Sequence, residues 1–177
     1  MRKIVYYVAA SIDGYISGLG EDISGFVSEG DGVEAYQRDL LDFDTVIMGR
    51  RTYEFGYQYG LKPGMPAYPH MQHYIFSRTL SFKEKSPQVE VQDWNVAFIQ
   101  ELKAQAGSDI YLCGGGVFAG WLLENELIDQ VKLKLNPFIQ GNGIKLFEGI
   151  AKVYQLDLLD RQLYQHGLQI LTLQVKY

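Results

Sequence analysis

The sequence predicts an α/β fold: a mixed, mostly parallel central sheet with helices on both faces and antiparallel strands added at its C-terminal end. Three observations carry this. Over the first two thirds of the chain, short β-prone runs alternate with segments of helical apolar spacing. Several of those runs stop at a glycine or polar turn that opens a helix. After Asp129 the spacing changes to period two, the pattern of strands alone. At roughly 150 residues per domain, 177 residues read as one unit over 1–177.

Ile4 to Ala10 is a continuous β-prone run, as in a central strand covered on both faces. The preceding Met1-Arg2-Lys3 superficially copies a signal peptide. Tyr6 and Tyr7 interrupt the apolar stretch, however, and Asp13 follows at once, so a buried strand explains these residues better. Between Ser11 and Gly32 lie six glycines, too many for a helix interior and suited to a long mobile loop. Val33 to Leu41 carries Val33, Tyr36, Leu40 and Leu41 at helical spacing, with Asp31 near its start. Thr45 to Gly49 reads as a second buried strand, and Arg50 to Tyr57 as a short helix. Pro63, Pro66 and Pro69 stiffen the loop beyond it.

His73 to Ser77 is the next expected strand, with Val89 to Val91 a short fourth. Asp93 is placed to cap a helix from Trp94 to Ala106 that Gly107 ends. Ile110 to Cys113 is a strand that Gly114-Gly115-Gly116 turns into a helix through Val117 to Leu123. Val131 to Leu135, Val153 to Leu159 and Leu171 to Tyr177 are the late strands, with a turn at Gln165-His166-Gly167. No internal repeat or linker interrupts the chain.

A formal charge of −5 gives no general positive field toward nucleic acid or anionic lipid. The single cysteine, Cys113, rules out an internal disulfide and a cysteine-based zinc cluster, in keeping with a cytoplasmic protein. No run reaches the roughly 18 apolar residues of a membrane helix. His70, His73 and His166 lack the spacing of a metal site, and none is expected. Ser11 and Asp13 form a catalytic pair only on paper, since Asp13-Gly14 is first a turn signal, and Cys113 reads as a packing residue.

Three strand ends carry residues able to hold an anion: Gly49-Arg50-Arg51-Thr52, Ser77-Arg78-Thr79, and Gly114-Gly115-Gly116-Val117. In open α/β sheets ligands lie at the carboxyl ends of strands, so the three can face one crevice. Glycines let backbone N–H groups approach a phosphate, helix starts present positive dipole ends, and arginine adds charge. Three of the six arginines sit in these turns, which points to a ligand with more than one phosphate. Each junction alone is more often a plain turn. Gly114-x-Gly116-x-x-Ala119 also begins a dinucleotide fingerprint, but no acid stands about 20 positions on, so a standard Rossmann domain is disfavoured.

Ala10-Ser11-Ile12-Asp13-Gly14-Tyr15-Ile16, Met48 to Tyr53, Ser77-Arg78, Cys113 to Gly116, and Pro137 through Gly141-Asn142-Gly143 to Leu146-Phe147 occur in an order that resembles the dihydrofolate-reductase-like family. The likeness is closer to its branch containing the reductase domain of the bifunctional riboflavin-biosynthesis deaminase-reductase. That resemblance implies the three-layer fold and an NADPH site across the strand ends. Gly49, Arg50, Arg51 and Thr52 would hold the pyrophosphate from one side and Gly114, Gly115, Gly116, Val117 and Phe118 from the other. Ser77, Arg78 and Thr79 would meet the adenosine ribose and its 2′-phosphate, while Ala10 and Ile16 would lie by the nicotinamide.

The chemistry implied is hydride transfer to a small nitrogen heterocycle. True dihydrofolate reductases hold the pterin with a carboxylate on the first helix, where this chain has Val33, and a later hydroxyl is replaced by Leu135. Asp31 and Glu34 flank Val33 and are the candidate catalytic and substrate-binding carboxylates, with Tyr53 a candidate wall of the substrate cleft. The alternatives are a dihydrofolate reductase proper and a nucleotide-binding module without turnover. A homodimer through the edge of the late strands is expected from the resemblance.

Overall fold

The computed structural model describes residues 1–177. Along the chain run β1 (Ile4–Ser11), β2 (Tyr15–Ser17), α1 (Asp31–Leu40), β3 (Thr45–Gly49), α2 (Arg50–Phe55), β4 (Gln72–Phe76), β5 (Val89–Gln92) and α3 (Val96–Ala104). β6 (Ile110–Gly114), α4 (Gly116–Glu124), β7 (Gln130–Asn136), β8 (Ile144–Lys145), β9 (Gln155–Leu163) and β10 (Gln169–Lys176) complete it. No helix is long and apolar enough to cross a membrane.

Eight strands form one sheet in the order β5-β4-β3-β6-β1-β7-β10-β9. β1 is central because its side chains are apolar on both sides. Ile4 and Tyr6 enter a cluster with Ile99 and Leu102 of α3 and Phe118 and Leu122 of α4. Val5 and Tyr7 enter a second cluster with Ala35 of α1 and Tyr53 of α2. Burying each such aliphatic side chain contributes roughly 1.5–3 kcal/mol, which fixes the register, since a slip of one residue would exchange the two faces.

The late strands differ from the expectation: the one expected over Val153 to Leu159 is β9, Gln155–Leu163, and it is exposed at every position rather than alternating. β7 alternates like an antiparallel strand, yet it pairs parallel with β1 from Val5–Gln130 to Ser11–Asn136. Within the eight-stranded sheet β10 alone is reversed, antiparallel to both β7 and β9. The sequence pattern reports which faces are wet, and says nothing of strand direction.

α3 begins at Val96 because Asn95, two residues past the expected Asp93, accepts the N–H groups of Ala97 and Phe98. The start of the glycine-rich loop is tied down rather than free. β2 pairs with β8, and the Leu146 N–H donates to the Gly14 carbonyl at 2.8 Å. The Asp13 carboxylate accepts from Ser11 Oγ (2.6 Å) and from the N–H groups of Gln140 and Gly141. These bonds, the Ser11 one foremost, hold its pKa down to about 2. Ser11 and Asp13 are thus a loop clasp.

His73, at the floor of β4, is fully buried. Its Nε2 accepts the Tyr68 N–H at 3.1 Å, which leaves the proton on Nδ1 to reach the Met71 carbonyl at 3.0 Å. Burial pulls its pKa from 6.5 to about 4. The folded pKa lies below the unfolded one, so the neutral ring contributes stability above pH 6.5 that is lost as pH falls toward 4. The loss should reach roughly 3 kcal/mol. Urea midpoints should fall over that interval, and in His73→Gln this part of the slope should vanish; an unchanged slope would refute the assignment.

Candidate functional site

The carboxyl ends of β4, β3, β6 and β1 are neighbours along one edge of the sheet, and three carry the turns singled out from sequence. They touch. Arg50 Nη1, after β3, donates to Thr79 Oγ1 beyond β4 at 3.0 Å. Thr52 of α2 faces the glycines after β6: a Cβ placed on Gly115 would stand 3.1 Å from its Oγ1, and one on Gly114 3.6 Å. Gly49 borders the same turn, 3.8 Å from the Gly115 nitrogen by the same measure. Gly114 has φ +137°, which side-chain-bearing residues rarely adopt, and the Gly114–Gly115 peptide is cis. A side chain at Gly115 would fill the cradle between the two turns.

Neither α2 nor α4 receives a side-chain cap, in contrast to α3. Their first N–H groups are therefore free to meet an anion. α2 has only six residues and a correspondingly small dipole, so the arginines supply most of the charge on that side. Arg50 is half-exposed and also contacts Glu54 at 2.8 Å; Arg78 is 76% exposed and 3.5 Å from Asp93. Arg51 is exposed and has no ion pair. Such exposed pairs hold their partners weakly, leaving the guanidinium groups able to turn toward a phosphate. The residues present fit a dinucleotide phosphate chain: a glycine cradle, uncapped helix starts and three cations on one edge.

The remaining candidates divide. Ser77 Oγ accepts the N–H groups of Thr79 and Leu80, shaping its turn. Ala10 is buried at the end of β1, and Ile16 is half-buried on β2. Val117 is exposed in the first turn of α4, whereas the Phe118 ring is buried, 4.6 Å from Phe76. Phe118 can therefore offer only its backbone. Tyr53 must be corrected as a cleft wall: it is buried, its hydroxyl donates to the Met65 carbonyl at 2.7 Å, and its ring packs on Tyr57 and Phe82. The turn of α2 that sends Arg50 and Arg51 outward sends Tyr53 into the core.

Asp31 is exposed at the first position of α1, where its Oδ1 accepts the N–H groups of Gly32 (2.9 Å) and Gln165 (3.1 Å). Glu34 is exposed in the same turn. Between them Val33 is half-buried.

Sequence reasoning missed what lies between α1 and the sheet. The Tyr36 and Tyr111 hydroxyls meet at 2.8 Å, and Tyr68 reaches Cys113 Sγ at 3.6 Å. Burial pushes the Cys113 thiol up, which keeps it protonated and inert at neutral pH. On β7 the residues in register with α1-facing Tyr7 and Ala9 are Lys132 and Lys134, so Leu135 points to the other face. Lys134 is buried. An open depression of about 480 Å³ lies beside the start of α4, lined by Gly143, Lys145, Phe147 and Glu148 among others. Lys145 and Glu148 also press against Gly116 and Gly120 of α4.

Comparison with known proteins identifies the family and the fold. The RibD C-terminal domain profile matches residues 2–170. A Shewanella sp. PV-4 protein named for riboflavin biosynthesis superposes with a TM-score of 0.80 at 21% identity, over the whole of both chains. A Thermotoga maritima diaminohydroxyphosphoribosylaminopyrimidine deaminase/5-amino-6-(5-phosphoribosylamino)uracil reductase gives 0.71 at 15%, over 98% of this chain and 56% of that one. Dihydrofolate reductase from Enterococcus faecalis, solved with NADP(H), gives 0.66 at 13%, over 99% and 97%. At these identities the likenesses establish the fold, which is dihydrofolate-reductase-like.

Proposed function

The chain belongs to the RibD C-terminal domain family, and on that premise we propose that it is an NADPH-dependent reductase that delivers hydride to a small nitrogen heterocycle of the ribosylaminouracil kind. The observation that carries this reading is the meeting of three phosphate-suited turns at adjacent strand ends, joined by Arg50–Thr79 and by Thr52 against Gly114–Gly115. The NADP(H) complex of the Enterococcus enzyme and the uracil reductase named among the structural neighbours support it.

In this reading the backbone of Gly49 to Thr52 and of Gly114 to Phe118 holds the pyrophosphate, with Arg50 and Arg51 supplying charge. Ser77, Arg78 and Thr79 take the ribose and its 2′-phosphate. Ala10 and Ile16 present an apolar wall that excludes water beside the nicotinamide. NADPH, when bound, supplies the hydride. Asp31 and Glu34, in the first turn of α1, are the carboxylates offered to the substrate.

Val33, apolar where a pterin-binding carboxylate would stand, favours this branch over dihydrofolate reductase and leaves a non-catalytic nucleotide-binding module as the second reading. NADPH at millimolar concentration should raise the melting temperature, and more than NADH does, because stabilisation follows occupancy of the folded state. No shift would withdraw the cofactor. NADPH oxidation with a ribosylaminouracil, but not with dihydrofolate, would establish turnover on the proposed substrate; binding without oxidation would leave the module.

The reading extends to a homodimer. All nine residues of β9 are exposed, and Leu156 and Leu158, paired with Val175 and Leu173 of β10, carry the apolar face of the sheet out into solvent. An edge strand of this length and character pairs unless it is blocked. Light scattering should give twice the 20.1 kDa chain mass, and Leu158→Glu should return it to one. A monomeric wild type would rule the dimer out.

A further inference from the structure

Three basic side chains are buried: Arg2, Lys103 and Lys134. The first two have carboxylates, Arg2 on Asp44 and Lys103 on Asp129 at 2.7 Å. Lys132, one step along the same face of β7 as Lys134, has Asp39 at 2.6 Å. Lys134 has none. Its Nζ makes one hydrogen bond, at 3.3 Å, to the carbonyl of Val27, and lies 5.3 Å from the centre of the Tyr36 ring. An ammonium carries three donors, so two of them lack a protein acceptor here. Burial alone pulls its pKa down, with no anion to oppose it.

A buried cation with no counter-charge destabilises a fold, and an apolar chain of similar length would pack better there. The position is also informative. Lys134 is in register with Ala9 of β1, next to Ala10, and faces Tyr36 of α1. The cover above it is light. The Val27 segment has no regular secondary structure and is held by the Val27 N–H on Asn136 Oδ1 (2.9 Å) and by Phe26 edge-on to Phe138.

We propose that Lys134 is an oxyanion-binding residue of the substrate site, receiving a phosphate monoester or a carboxylate of the hydride acceptor in place of the Val27 carbonyl. This rests on the reductase reading only in assigning the anion to the acceptor. Tyr36, whose ring already faces the ammonium, and the half-buried Val33 would form the adjoining wall.

The test uses the full chain, titrated calorimetrically with inorganic phosphate and separately with benzoate, against chloride at matched ionic strength, with and without saturating NADPH. At least one oxyanion should bind at millimolar concentration. Lys134→Met should weaken it tenfold or more, leave the NADPH Kd within twofold, and keep or raise the melting temperature, which a structural lysine would not do. Phosphate alone binding assigns a phosphate monoester, and benzoate alone a carboxylate. Neither anion binding above chloride, or equal binding by Lys134→Met, would overturn the proposal. If that variant fails to fold, the Lys134 ¹³Cε resonance of the wild type decides: it must move with the oxyanion, and a fixed resonance overturns the proposal. Failure of NADPH to bind would cancel the reductase reading while the cofactor-free titration still judged Lys134.

Discussion

Gly120→Ala should destabilise the protein by about 3 kcal/mol or more, even though alanine is the better helix former. In an exposed helix the exchange gains roughly 1 kcal/mol. Here a Cβ on Gly120 would stand 1.8 Å from the Glu148 carbonyl oxygen and 2.9 Å from its carbon. Both are backbone atoms, so no rotamer change relieves the clash. The 146–148 segment would have to leave α4, breaking the Glu148 N–H bond to the Gly116 carbonyl (3.0 Å) and the Tyr6 hydroxyl bond to the Leu146 carbonyl (2.9 Å). Chemical denaturation measures the change. A Gly120→Ala protein as stable as the wild type would mean that this segment does not pack on α4 as described.

On the proposed cofactor assignment, Arg78→Ala should narrow an NADPH-over-NADH preference by about tenfold, the worth of one charge-assisted contact of roughly 1.4 kcal/mol at an exposed site. The NADH affinity should stay within twofold. Folding stability should change by less than about 0.5 kcal/mol, because the Arg78–Asp93 pair is exposed on both sides. Asp93→Asn should act the opposite way, freeing the guanidinium and tightening NADPH. Equal losses for both cofactors would remove Arg78 from the 2′-phosphate and leave Arg50 or Arg51 to be tested in its place.

Much of this was legible because buried strands and glycine-ended turns leave strong local signals. β1, β3, β4 and β6 lie within a residue of their expected limits, since each is a short apolar run bounded by polar or glycine residues. β2 and β8 were not foreseen: a three-residue and a two-residue strand exist only because Tyr15 and Lys145 meet across the fold. The placing of three turns on adjacent strand ends followed from a general rule about such sheets. What lies over them did not follow. Lys134 reads as one of two polar positions on an alternating strand, a solvated face by default, and only the packing of α1 and the Val27 segment makes it a buried charge. Tyr53 failed for the same reason, because a six-residue helix gives too little periodicity to tell its inner side from its outer one.

The placing of β1 has a consequence for biosynthesis. It precedes every other strand of the sheet, yet its two partners, β6 and β7, are residues 110–114 and 130–136. On the ribosome this apolar strand must therefore wait, unpaired, until residues 110–136 have been translated. Such late, non-local closure is slow and leaves sticky surface uncovered. Nascent chains halted before residue 130 should accordingly recruit chaperones and resist compaction, and should gain protease resistance only once β7 has cleared the exit tunnel.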